Sequence, residues 1–325
     1  MLMKKYHIVV LLLLALLLSQ FNVQDYILSM KNLTWDIWTT LIIMQLLSFI
    51  LLLIQWKRIS LALGKEVTFK QMVSVNMKGV FYETITPGLK VGGEVAKAVT
   101  LVNEMDFTSA QASALVVIQK CISISALIFL SVFSFVFLNF EIQLPKSAVV
   151  LIYFILVALL LLLFVILFIP EKLYNYLLKS KSTGKIVTKT KSFLEKYTVA
   201  FNRIKNNKKE IFFQFLLSLV VWALFPFKLY YIVSSLGWKL SFIRVFAVTI
   251  ISYVAGMVPL LPGGLGSFEG TMVGLFLLWG INKEQGLVIA TIFRFITFWL
   301  LFFISIVYLI GRKAHKSLKG ALKGA

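Results

Sequence analysis

Residues 147–170 carry no charged side chain over 24 consecutive positions, and residues 245–268 form a second such run. A bilayer core of about 30 Å takes roughly 20 helical residues to cross. Hydrocarbon offers no hydrogen bonds to bare peptide groups, so a run of this kind must satisfy its own backbone and is expected to be a helix. The alternating pattern of an outer-membrane barrel is absent. Composition agrees, with 60% of the 325 residues hydrophobic and 14% charged, against about 25% charged in soluble domains. The expected fold class is all-α, a polytopic membrane helix bundle.

Apolar stretches place six full spans near residues 6–24, 38–56, 110–140, 147–169, 211–236 and 286–311. The first follows Lys4 and Lys5 and imitates a secretory signal. No small-x-small cleavage pattern comes after it, only Ser19, Gln20, Phe21 and Asn22, so it reads as a retained span. Basic residues mark cytoplasmic loops. The N-terminal tail, the segment after the second span, residues 171–210 and the C-terminal tail hold 22 Lys and Arg, against five in the loops on the other side. Both termini are therefore expected in the cytoplasm, with the chain in the cell membrane. Residues 1–325 read as one membrane domain: a first repeat over 38–140, a basic linker over 171–210, a second repeat over 211–311 and a basic tail over 312–325.

The formal net charge of +20 thus has a location. Aromatic interleaving is sparse and no recognition fold is visible, so no nucleic acid is expected. The linker, with ten lysines and Arg203, reads as a helix facing an anionic leaflet, where each basic residue contributes about 1 kcal/mol. Setting orientation alone explains those lysines equally well. Cys121, His7 and His315 make neither a disulfide framework nor a metal-ligand cluster. No phosphate-binding loop and no Ser/His/Asp constellation can be assembled, so no cofactor and no enzymatic chemistry are expected.

The informative feature is a repeated breaker. Residues 87–94 read Pro-Gly-Leu-Lys-Val-Gly-Gly-Glu, and residues 262–269 read Pro-Gly-Gly-Leu-Gly-Ser-Phe-Glu. Pro87 with Gly88, and Pro262 with Gly263, interrupt a helix because proline lacks a donor and glycine is conformationally free. The flanking arms, 68–86 with 89–103 and 242–261 with 265–279, are short for spanning but suit half-membrane hairpins. Three crossings separate the breakers, so the hairpins would enter from opposite faces, the layout of many secondary transporters. Expected are two re-entrant hairpins in an inverted repeat. In the first, Lys90, Glu94 and Lys97 share one helix face, which equally fits an amphipathic helix lying on the surface.

Charges inside spans are costly and functional by default. The candidates are Lys78, Glu83, Lys90, Glu94 and Lys97 in the first hairpin, then Lys120, Lys228, Glu269 and Arg294. Glu269 stands in an apolar helix and Arg294 is its expected partner, while Lys228 reads as snorkelling toward the outer interface. Amides at Gly92, Gly93, Gly264 and Gly266, with Lys90 or Arg294 nearby, suit an anionic headgroup. Glu83, Glu94 and Glu269 suit a cationic headgroup or a coupling proton.

With the turn at Gly280-Ile281-Asn282 and the segment Thr291-Ile292-Phe293-Arg294-Phe295, the second breaker resembles the flippase-like transmembrane family, which includes the membrane domain of lysylphosphatidylglycerol synthases. The family often shows Pro-Gly-Gly and a small residue where this chain has Leu89 and Lys90, and a Glu-Arg pair where it has Gln119 and Lys120. The resemblance implies a lipid translocase, flippase or scramblase, for an anionic or aminoacylated phospholipid or a polyprenyl phosphate. It also implies membrane lipids as partners, with a homo-oligomer or a lipid-modifying enzyme as the protein assembly. The chain ends about 14 residues past its last span, so aminoacyl transfer is not expected of it alone. A transporter of small polar solutes and a membrane subunit for a separate lipid-modifying enzyme are the alternative readings. The charge asymmetry makes a topological prediction: reporters fused at either end should respond only from the cytoplasmic side, and an external signal from either would reverse the assignment.

Overall fold

The computed structural model describes residues 33–86, 91–142, 146–179, 185–257 and 264–324. The expected span over 6–24 and the breaker residues Pro87, Gly88, Lys90, Pro262 and Gly263 lie outside them. The described residues form helices and no strand. Four segments among them are long and apolar enough to cross a membrane: Trp35–Ala62, Ser109–Ile142, Lys208–Ser235 and Lys283–Ala314.

Helix α1 (Trp35–Ala62) carries Asp36 in its first turn, where a carboxylate meets the positive end of the helix dipole. It ends at Gly64, whose φ of +77° suits a left-handed turn. Helix α2 (Phe69–Ile85) opens with a capping box in which Thr68 and Gln71 satisfy each other's backbone amides. Its partner α3 (Val91–Glu104) returns against it. The two arms cross at glycines: a Cβ on Gly93 would stand 2.7 Å from the Gly79 carbonyl oxygen. Any larger residue at Gly93 would force the hairpin apart.

Helix α4 (Ser109–Ile142) touches α1, α3 and each of the next four helices that can reach it. Those are α5 (Lys146–Lys179), α6 (Lys185–Lys205), α7 (Lys208–Ser235) and α8 (Phe242–Ala255). Helix α5 passes through Pro170 and runs ten residues beyond the expected end of its span at residue 169. Much of the basic linker belongs to neighbouring helices, and its central part, α6, is not merely a surface helix. Tyr197, Ala200, Phe201 and Ile204 are buried together with residues of α4. The second hairpin comprises α8 and α9 (Ser267–Leu277), followed by α10 (Lys283–Arg294). A π-helical turn, Phe295–Trp299, joins α10 to α11 (Leu300–Gly324).

Two apolar cores result. One gathers α2, α3, the first half of α4 and α6 around Leu53, Trp56 and Ile59 of α1. The other gathers α8, α9 and α10 around Leu41 of α1 and Leu229, Ile232 and Val233 of α7. Leu41 and Leu53 are 12 residues apart, about 18 Å along the helix. The two cores therefore meet α1 at opposite ends.

Glu104, outside the four spans, fastens the first hairpin to the last helix. It accepts Lys78 Nζ at 2.5 Å and Arg312 Nη2 at 2.8 Å, and Arg312 also donates to Ser74. Burial opposes the Glu104 charge, but the hydrogen bonds from Lys78 and Arg312 outweigh it and hold the carboxyl below its ordinary value. A depressed folded-state value means that the stabilisation is present at neutral pH and is lost as pH falls through that value. Glu104→Gln should lower the thermal midpoint by an amount equivalent to about 1–2 kcal/mol at pH 7. The difference from the unsubstituted protein should shrink on acidification; a pH-independent difference would refute this role.

Candidate functional site

Each hairpin offers one carboxylate to a cation on the helix that follows it. In the first half, Glu94 is in the opening turn of α3, and its Oε1 lies 3.1 Å from Lys120 Nζ of α4 and 3.3 Å from Lys97 Nζ. Lys97 is itself buried, with its ammonium 5.0 Å from the centre of the Trp56 ring. Glu83 is close enough to couple electrostatically to both Glu94 and Lys120. In the second half, Glu269 sits in the opening turn of α9, and its Oε1 accepts Arg294 Nε at 2.7 Å. The Arg294 guanidinium lies between two rings, 4.7 Å from the centre of Phe268 and 4.8 Å from that of Phe298. Such stacking suits its planar, weakly hydrated charge. Sequence separations of 26 and 25 residues place the two ion pairs at corresponding points of the two halves.

Between the two cores lies a cavity of about 230 Å³, lined partly by apolar side chains such as Leu52, Val80 and Phe298 and partly by polar ones. The first half contributes Gln55, Glu83, Thr84 and Ser123; the second contributes Ser218, Trp222, Tyr253, Arg294 and Thr297. Its walls are ordered by their own bonds. Gln55 donates to Ser218 Oγ at 2.7 Å, and Trp222 Nε1 donates to the Ser123 carbonyl at 3.0 Å. Tyr253 packs edge-on against Trp222 and Phe268. The π turn follows directly after Arg294, and both Arg294 and Thr297 of this segment line the cavity. Wide turns of this type recur at functional sites because they re-aim side chains within a span.

Of the candidates named from sequence, Glu83 and Arg294 meet at this cavity, while Glu94, Lys97 and Lys120 form a cluster in the first half. One glycine, Gly266, takes another role. The Gly266 amide is not open to a ligand anion, because it donates to Glu269 Oε2 at 2.7 Å. Gly264 and Gly266 have φ of +71° and +83°, and a Cβ on Gly264 would lie 2.4 Å from the Gly256 carbonyl oxygen. Gly92 packs against Thr86, where a Cβ would come within 2.0 Å of Oγ1. These positions need glycine for turn conformation or close approach. Lys228 is likewise corrected. Far from snorkelling, it is fully buried, donating at 2.7 Å to both Gln45 Oε1 and Ser48 Oγ of α1 and lying 4.3 Å from the Phe225 ring centre. A lone glutamine or serine inside an apolar span (Gln45, Ser48, Gln55, Ser123, Ser218) was the available signal for these neighbours.

Removing one partner of a buried ion pair leaves the other uncompensated, a loss of about 3–5 kcal/mol. Arg294→Met should therefore destabilise strongly, and Glu269→Gln added to it should recover part of the loss. A double-mutant cycle of thermal unfolding in detergent tests this, and strict additivity would remove the coupling.

The family model described as the lysylphosphatidylglycerol synthase TM region matches residues 6–305. The chain is 25% identical to a UPF0104 membrane protein of Pyrococcus horikoshii over 274 residues, covering 80% of this chain and 82% of the relative. A UPF0104 membrane protein of Methanothermobacter thermautotrophicus is 20% identical, with 80% of each chain covered. Another, from Methanocaldococcus jannaschii, is 23% identical, with 79% of each covered.

Proposed function

The chain belongs to the family of the lysylphosphatidylglycerol synthase TM region, and from that premise we propose that it is a lipid translocase of the cell membrane, moving a lipid headgroup between leaflets through the cavity at Glu83 and Arg294. The observation that carries the reading is the make-up of that cavity: a largely apolar space walled by both halves of the protein, into which one hairpin brings a carboxylate and the other half a guanidinium. Buried ionisable groups in a span mark substrate paths. At about 230 Å³ the cavity is somewhat smaller than the roughly 300–1,000 Å³ of sites that enclose a whole ligand. It suits a headgroup whose chains stay in the bilayer. An anionic headgroup would be drawn to Arg294, and an aminoacylated one would offer its ammonium to Glu83.

The placing of two separate apolar cores, one with each hairpin, at opposite ends of α1 supports an inverted pair, each hairpin open to one face. Alternating exposure then requires the two cores to rock about the cavity. Nothing in this scheme uses bond-making chemistry, so the protein acts as a carrier and not as an enzyme. The small volume also suits a free polar solute, which is the second reading.

Proteoliposomes with fluorescent phosphatidylglycerol and phosphatidylcholine test the proposal by quenching from the outer face. The unsubstituted protein should translocate the anionic probe faster than empty vesicles. Arg294→Met combined with Glu269→Gln, which removes the cation that meets an anionic head, should slow it about tenfold or more, the worth of one charge-assisted contact. Rates equal to those of protein-free vesicles with every headgroup would overturn it. Solute uptake in the same vesicles would then favour the second reading.

A further inference from the structure

A second apolar space lies outside the central cavity. The outer face of α4 presents Ile118, Ile122, Ser125, Phe129, Val132 and Val136 at spacings of three and four residues, one continuous helical stripe. Two adjoining cavities run along it, of about 510 and 630 Å³, meeting at Ser125 and at Phe215 of α7. Each volume falls within the range of ligand sites. The walls are almost wholly apolar, and Phe129 is 59% exposed. At one end, where α6 turns into α7, the exposed Lys205 and Lys208 complete the lining.

We propose that this groove binds one anionic phospholipid, its acyl chains along α4 and its phosphate at Lys205 and Lys208. Two features select the occupant. A pair of ammonium groups at one end of an apolar trough is complementary to a molecule with an anionic head and hydrocarbon tails. The length also suffices: from Ile118 to Val136 is 18 residues, about 27 Å of helix, more than the half of the roughly 30 Å hydrocarbon core that one lipid's chains occupy. The site is separate from the translocation cavity. Both use α4 and α7, but Ser123 and Trp222 line one and Ser125 and Phe215 the other. Occupancy therefore does not depend on transport.

The full chain reconstituted in bilayer discs of mixed phosphatidylglycerol and phosphatidylcholine, then released and weighed by native mass spectrometry, is expected to retain phosphatidylglycerol preferentially. Lys205→Gln with Lys208→Gln should weaken that retention about 30-fold, the combined effect of two basic residues at an anionic head. Ser125→Trp, which fills the trough and leaves both lysines, should abolish it. Neither change touches the two core ion pairs, so thermal midpoints near the unsubstituted value are expected. A photoreactive residue in place of Phe129 should form an adduct of phospholipid mass. Equal retention of the two lipids, retention unaffected by the lysine changes, or crosslinking of Phe129's replacement to residues 6–24 in place of lipid would each overturn the proposal.

Discussion

The bilayer removes water as a hydrogen-bond partner, so every polar group placed at membrane depth must find its partner inside the protein. The two hairpins expose the consequence. Each interrupts a helix and carries a carboxylate in the first turn after the interruption, and each carboxylate is met by a cation from the next helix, Lys120 or Arg294. Glu269 does two jobs in one position, closing the Gly266 amide at the start of α9 and fixing the guanidinium that reaches the cavity.

The same constraint explains Lys228. Its ammonium is buried among Gln45, Ser48 and the ring of Phe225, and it ties α7 to α1 midway between the two cores. Two long helices tied to each other by polar bonds, with a separate apolar core toward each end of α1, form a frame for the two halves. The Gln55–Ser218 bond is a second tie between the same helices and lines the cavity itself. A carrier needs such a frame, since exposure must alternate while the binding groups keep their relative positions.

Electrostatics and packing divide the labour. Among the described residues, Glu94 and Glu269 are neutralised by neighbouring cations, whereas the surplus of positive charge lies at helix ends and in the basic segment around α6. That segment docks its apolar residues into the first core, which brings Lys205 and Lys208 to the mouth of the apolar trough along α4. A stretch that reads as a linker by charge is therefore also a wall of a lipid-facing surface.

Composition and periodicity were enough to establish an all-helical membrane protein, because a 20-residue apolar run has few physical options in any context. The isolated Glu269 in an apolar helix made its pair with Arg294 legible too, since an unpaired charge in a span is costly. Sequence could not assign the glycines. Whether an amide is open to a ligand or already closed by a neighbouring carboxylate depends on rotamers and local turns, as Gly266 and Glu269 demonstrate. Nor could it place Lys228, which snorkels or stays buried according to whether another helix brings Gln45 and Ser48 within reach. The cavity itself, drawn from residues as far apart in sequence as Gln55 and Thr297, is a product of tertiary packing, because contacts between distant segments leave no local periodicity to read.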